Sequence, residues 1–339
     1  MKFELTKEFL AEIKYGIDAE NSEFILNEIG ELHPADIADI LQHLSLDEGK
    51  YIFNLLDEDV SADALIELEE NFQEKFIDSL SIVEIAETID QLDTDDAADI
   101  LGGLSEDEKD EAISHMQDKE HASEVIDLLR YDENSAGGLM QAEFIKAKST
   151  YTVKRCVIEL RRQAEEVERV FTIYVVDDND LLLGILSLKR LLFAKPDALI
   201  KELFIEDQVK YVKTHDTKEE VSEIMQKYDL VSIPGVDRQH HLVGRITIDD
   251  VVDVMQEEAE KDYQLASGIT ENVETTSSIL NNTRSRLPWI LIGLIGGILS
   301  SLILGNYGDE ISINPFLAFF IPLITATGGN VGVQSSAIV

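Results

Sequence analysis

GILSLKRLL (184–192) and GRITIDDVV (244–252) are one nine-residue pattern written twice, 60 residues apart. In each copy the end of a strand runs into the start of a helix. The elements around the copies repeat in the same order. FIKAK (144–148) reads as a short strand, TVKRCVIELRRQAEEVE (152–168) as a helix and FTIYVV (171–176) as a strand. After the turn DDND, LLLGILS (181–187) is a strand and LKRLLFA (188–194) a helix. VKYVK (209–213), TKEEVSEIMQKY (217–228), LVSIPGV (230–236), the turn DRQHH and LVGRITI (242–248) restate that series, and an acidic helix runs from Asp249 to about Leu265. The pattern predicts two β-α-β-β-α units in tandem, over 131–205 and 206–262.

Upstream, residues 1–130 read as helices throughout, with no hairpin signal and little β-branched alternation. HPADIADILQHLSLDE (33–48) is echoed by DTDDAADILGGLSEDE (93–108), again 60 residues on. Ile37, Ile40, Leu41 and Leu44 become Ala97, Ile100, Leu101 and Leu104, one helix face in each copy. Pro34 suits a first helical turn. Ser45 and Ser105 stand where N-caps belong. IVEIAETI (82–89) carries the same spacing between the copies, and stacked helical pairs in a short superhelix account for all three.

Downstream, LPWILIGLIGGILSSLILG (287–305) carries no charged side chain and is long enough to span a membrane, with Trp289 placed as an interface anchor. GNYGDEISIN reads as a short polar loop, and residues 315–339 begin a second span inside which the chain ends. Residues 263–286 connect the acidic helix to the first span. In the second span, TATGGNVGVQSS puts glycines and amides at membrane depth. Asn330 and Gln334 share one helix face, and Gly328, Gly329 and Gly332 are able to bare backbone carbonyls to an ion. Close helix packing is the other reading of the same small residues.

The chain has 68 acidic and 28 basic residues and a net charge of −40; only Asp309 and Glu310 lie beyond Arg286, which leaves −38 before the membrane segment. Such a surface repels nucleic acid and anionic lipid and attracts divalent cations, although solubility alone also accounts for it. Cys156, the one cysteine, excludes an internal disulfide and is expected to be buried. The N-terminus has no uncharged run, so no signal peptide is expected, and Arg284 and Arg286 at the membrane edge place the acidic part in the cytosol. The seven histidines show no metal-ligand spacing, and His240 and His241 in a turn are expected to be exposed. With no HExxH, CxxC, nucleophile elbow or P-loop, nothing supports an enzyme.

PLITATGGNVGVQSS (322–336) resembles the second transmembrane helix of MgtE-type magnesium channels. The tandem units resemble a pair of CBS domains, and the acidic segment with DDAAD resembles the MgtE N-terminal domain. The resemblance covers essentially the whole chain. It implies an all-α N domain, an α/β CBS pair and α-helical transmembrane segments. It also implies a homodimeric, multi-pass magnesium channel of the plasma (inner) membrane, its N-terminal domains cytoplasmic. Intracellular magnesium bound between the N domain, the CBS pair and a connecting plug helix in 263–286 then holds it closed. Five membrane helices per subunit are implied, so the chain as given, ending in the second, is not expected to conduct.

The resemblance further implies metal ligands at Asp95 and Asp99 of DDAAD. It implies others at Asp216 or Glu219, Asp229, Asp250 and Asp253 of the second CBS unit, and at Glu258 and Asp262. Taken singly, each acid also reads as a solvated surface charge. Asp250, Asp253 and Glu257 share one helix face. His33 and Pro34 replace two polar positions in the first copy, so no ion is assigned there. Thr327, Gly328, Gly329, Asn330 and Gln334 are the implied pore lining. Thr247 and Asp250 match the Ser/Thr-x-x-Asp with which nucleotide-binding CBS domains hold a ribose, which makes an adenine nucleotide such as ATP a second expected ligand. The first unit reads Ser187-Leu188-Lys189-Arg190 and lacks the acid. A different CBS-regulated transporter controlled by nucleotide is the alternative to a magnesium-gated channel, and a membrane-tethered acidic scaffold is the third reading.

Overall fold

The apolar spacing at 37–44 and 97–104 folds as two helices of a ten-helix array. In a computed structural model that describes residues 3–164, 167, 170, 172–205, 209–266 and 279–336, the array comprises α1 (Lys7–Asp18), α2 (Ser22–Ile29), α3 (Pro34–Gln42), α4 (Leu46–Phe53), α5 (Glu58–Ile66), α6 (Glu70–Ser79), α7 (Ile82–Ile89), α8 (Thr94–Gly103), α9 (Glu106–His115) and α10 (Lys119–Leu128). Helices pack on the helix two places along, as in α3 on α5, α5 on α7, α7 on α9 and α8 on α10. Ile37, Ile40 and Leu41 are buried, and so are Ala97, Ile100 and Leu101. Pro34 is the first residue of α3, where its missing N–H costs no helical bond. Ser45 and Ser105 each cap a helix and are bonded back by Glu48 and Glu108, as Ser81 is by Glu84.

The tandem units form two equivalent three-stranded sheets. The first holds β1 (Ile145–Lys148), β2 (Ile173–Val176) and β3 (Leu182–Leu186); the second holds β4 (Val212–Lys213), β5 (Ser232–Val236) and β6 (Leu242–Thr247). The outer pair is parallel and the hairpin antiparallel in both sheets. Helices α11 (Val153–Gln163), α12 (Leu188–Phe193) and α13 (Lys218–Tyr228) are interleaved, and α14 (Ile248–Ala266) follows β6. Cys156 is buried in the first unit's core, as expected. The hairpin turns meet: Leu182 N–H donates to the His240 carbonyl and Leu242 N–H to that of Asp180, both at 3.1 Å. Tyr174, Val176, Leu182, Val236 and Leu242 form a common core there.

Each sheet is extended by a segment from outside its own series. Ile205 pairs with Ile185 of β3, and Gln141 pairs with Arg245 of β6. Gly184 allows the first of these approaches. A Cβ added there would lie 2.5 Å from the Ile205 carbonyl oxygen and would collide with the Phe204 ring. Gly184→Ala is therefore expected to destabilise the chain by about 1–3 kcal/mol in urea unfolding. Gly102→Ala, in open space on α8, should be neutral or stabilising by about 0.5–1 kcal/mol.

Several elements differ from the sequence expectation. The strand expected over 209–213 is only Val212–Lys213, and beyond it Asp216 turns back to accept from the Lys213 N–H at 2.8 Å. The polar segment 305–314 is not a plain loop but contains α16 (Gly308–Ile313), whose Ser312 hydroxyl donates to the Gly308 carbonyl. His240 and His241 are half-buried: one meets the Tyr211 ring edge-on and the other bonds Asp237.

The chain forms two compact units, Met1–Val254 and Met255–Val339. In the second, α15 (Ile279–Gly305) starts eight residues before the expected span, and α17 is Leu317–Ser336. Arg286–Gly305, with a mean hydropathy of 2.2, is long and apolar enough to cross a membrane; the apolar part of α17, Ala318–Gly332, is shorter. Much of the expected connecting region, 267–278, lies outside the described residues.

Candidate functional site

The α8 copy of the helical repeat differs from α3 in carrying Thr94 and Asp95 where α3 has Pro34 and Ala35, and it shares the next acid, Asp96 for Asp36. Thr94 fastens that turn to the chain entering the first sheet. Its N–H and hydroxyl donate to Glu143 at 3.0 and 2.8 Å, and its hydroxyl oxygen accepts from the Ala142 N–H at 2.8 Å. Asp95, only 7% exposed, accepts from the Gln141 amide at 3.1 Å. Gln141 in turn accepts from Arg245 Nε at 2.7 Å, and both residues are buried. A buried relay Asp95–Gln141–Arg245 thus joins the helical domain to β6.

Carboxylates of two helices converge on this relay. Burial raises the Asp95 carboxyl, and Asp249 at the start of α14 raises it further. Asp96 is raised by burial, then by Asp95 and Asp250. Asp250 is raised by burial and by Asp95. Crowding by protein atoms, followed by Asp95 and Glu133, pushes Asp99 up to about 7, with Lys218 opposing. Asp253 is raised by desolvation and by Asp249. Asp96 and Asp250 are half-buried while Asp99, Asp249 and Asp253 are exposed, so the cluster has a buried floor and a wet rim. Asp95, Asp96, Asp249 and Asp250 occupy the first turns of their helices, where the helix dipole tolerates negative charge. An all-oxygen donor set open to water fits a hard divalent cation that keeps part of its hydration shell.

Of the expected ligands, Asp95 and Asp250 therefore share one field across the two helices, while Asp99 and Asp253 lie one turn further along α8 and α14 and are raised by acids of their own helices, Asp95 and Asp249. The other expected ligands are placed differently. Asp216 is tied to Lys213, Glu219 is exposed in the first turn of α13, and Asp229 is an exposed left-handed C-cap with φ of 51°. Glu258 and Asp262 lie in the second unit, half-buried and exposed respectively on α14. Thr247 donates to Asp250 through its N–H at 3.2 Å and its hydroxyl at 2.7 Å, so the expected nucleotide pair is already paired internally. In α17, Thr327, Asn330 and Gln334 follow helical spacing, and Gly328, Gly329 and Gly332 sit in a continuous helix. Their carbonyls belong to the helical ladder of α17.

Asp96, Asp249, Gln141 and Arg245 were not legible as site residues. The doublets Asp95-Asp96 and Asp249-Asp250 held the signal for the first two. Nothing in the sequence marked Gln141 or Arg245, whose role exists only through pairing across 104 residues.

Ten helices, a CBS-type α/β pair and a helix long and apolar enough to cross a membrane define the class of the protein by fold. The MgtE intracellular N domain model matches residues 32–134, and the CBS domain model matches residues 200–257. The chain is 31% identical over 313 residues to the magnesium transporter MgtE of Thermus thermophilus, covering 91% of this chain and 69% of the relative. It is 35% identical over 219 residues to the magnesium transporter MgtE of Enterococcus faecalis, covering 65% of this chain and 48% of that one. A crystal structure of the cytosolic domain of the Mg2+ channel MgtE in complex with ATP superposes with a TM-score of 0.67 at 30% identity, covering 72% of this chain and 99% of that one. The chain belongs to the MgtE family of magnesium transporters.

Proposed function

We propose that this chain is the cytosolic sensor and first membrane-spanning part of a homodimeric, multi-pass magnesium channel of the plasma membrane. It is gated by intracellular magnesium. The observation that carries the reading is the convergence of α8 and α14 carboxylates over the buried Asp95. Without a cation their mutual repulsion favours separation of the two helices. A hydrated magnesium ion bound between them stabilises the closed arrangement, since it binds one state better than the other. Through α14, which precedes α15 in the chain, that preference reaches the membrane segment. Asp216, Glu219, Asp229, Glu258 and Asp262 then serve as outlying ligands, and Thr327, Gly328, Gly329, Asn330 and Gln334 as pore lining.

The test is hydrogen exchange on the full chain in detergent at constant ionic strength. Magnesium at roughly millimolar concentration is expected to protect residues 94–103 and 248–254. Matched potassium should not, and Asp95→Ala with Asp250→Ala should abolish the effect. Equal protection by potassium would reduce the acidity to general screening.

A second reading places an adenine nucleotide at Thr247 and Asp250, as a regulator in place of magnesium or beside it. It is favoured by the bonded Thr247–Asp250 pair at the strand-to-helix turn and by the relative crystallised with ATP. Run with ATP, the same experiment decides it: unchanged nucleotide affinity in Asp250→Ala would exclude this site.

A further inference from the structure

Outside the α8–α14 cluster, a cavity of about 620 Å³ lies between α10 and the chain entering β1, with Asp90, His121, Glu124 and Glu143 in its wall. His121 and Glu124 stand at i and i+3 on α10 and share a face. Glu143 comes from the chain before β1. One ligand atom from each of the three lies within 4.8 Å of the others. Donors around a tetrahedral zinc-type ion are about 3.3 Å apart, so closure onto an ion needs about an ångström of side-chain movement.

The histidine is set for this role. Its Nε2 lies 3.1 Å from the Ile89 carbonyl oxygen, which only accepts, so Nε2 carries the hydrogen. In the neutral ring Nδ1 is then a lone pair, 4.0 Å from Glu143 Oε1. A backbone carbonyl on the far ring nitrogen is the usual way in which a metal-binding imidazole is oriented. Glu143, its side chain 10% exposed, is fixed by the two bonds from Thr94.

A separate observation points to a missing partner. Asp90 Oδ1, beside Ile89 in the chain, is a buried side-chain oxygen with no hydrogen-bond partner among the described residues, although Oδ2 accepts from the Gln117 N–H at 2.6 Å. A buried carboxylate oxygen left unpaired is unfavourable, and water on a bound ion would pair it.

We propose that His121, Glu124 and Glu143 form a second divalent-cation site, for a first-row transition dication of zinc type. Magnesium takes oxygen ligands and tolerates imidazole poorly, whereas zinc-type ions accept one imidazole with two carboxylates and leave a fourth position for water. The ion would pin α10 to the chain entering the CBS pair. Because Glu143 also holds Thr94, the pin bears on the first turn of α8 and hence on Asp95.

The experiment is calorimetric titration of the full chain in detergent with Zn2+ under excess Mg2+, with Co2+ as a coloured probe of imidazole ligation. Roughly one Zn2+ per chain is expected to bind and to resist displacement by Mg2+. His121→Gln, whose amide can still donate to the Ile89 carbonyl, should lose about tenfold or more in affinity. Glu124→Gln gives a second variant should His121→Gln fail to fold. No Zn2+ binding, displacement by Mg2+, or an unaltered affinity in the folded ligand variants would overturn the proposal and leave His121–Glu143 as an ion pair.

Discussion

Without divalent cations, the thermal unfolding midpoint of residues 1–254 within the intact chain falls by on the order of 10 °C between about pH 5 and pH 8. The cause is the upward displacement of the Asp95, Asp96, Asp250 and Asp253 carboxyls, with Asp99 raised to about 7. A carboxyl whose folded pKa exceeds its unfolded value binds more protons in the folded state. Its contribution is fully present below about pH 4 and is lost as pH rises through the folded value. For the cluster, that loss begins near the ordinary aspartate range and continues through 7. A tenfold gain in proton affinity on folding corresponds to about 1.4 kcal/mol, and the exposure of Asp99 and Asp253 to solvent holds the total to a few kcal/mol.

Magnesium takes the place of the proton. It is therefore expected to raise the midpoint strongly at pH 8 and weakly at pH 5, because ligand stabilisation requires the deprotonated carboxylates. Calorimetric scans at both pH values, with and without the ion, check this. A midpoint that rises with pH in metal-free protein would mean that α8 and α14 do not bring their carboxylates together in solution.

Arg245→Ala carries the second large expected effect, a loss of about 1–3 kcal/mol of stability. Arg245 is 4% exposed and is bonded to Gln141 through both side chain and backbone. Its guanidinium orients the Gln141 carbonyl, so the amide N–H is turned toward Asp95. Without it Gln141 is free to reverse, and the buried Asp95 carboxylate loses its donor. Asp95→Asn relieves the charge and should recover part of the loss. The double variant is accordingly expected to be less destabilised than the sum of the single ones, with a coupling of about 0.5–3 kcal/mol. Additive losses in urea unfolding would show that the relay does not connect the two residues energetically.

The local elements are legible along the chain, because they depend on near neighbours. Apolar spacing set the faces of α3 and α8, and Ser45, Ser105 and Pro34 set helix starts. The 60-residue repeat set two equivalent sheets, since a repeated alternation can bury only one face in one register. The doublets at 95–96 and 249–250 announced where charge was concentrated. A run of uncharged residues located the apolar helix, although α15 begins earlier because the polar residues ahead of it continue the same helical turn.

Which charges meet depends on long-range packing. Asp95 and Asp249 are 154 positions apart in sequence and share a field only because Gln141 leaves its own unit to pair with β6. No periodicity encodes that exchange; it follows from a sheet edge whose backbone groups need partners and from Gly244, which lets the Gln141 carbonyl oxygen approach to 3.1 Å of where a Cβ would stand. The histidines had no ligand spacing along the chain, yet folding sets Glu143 beside His121 and Glu124. Charge density is a property of composition, whereas burial and convergence of charge are properties of packing. It is packing that raises these carboxyls and makes the acidity able to respond to an ion.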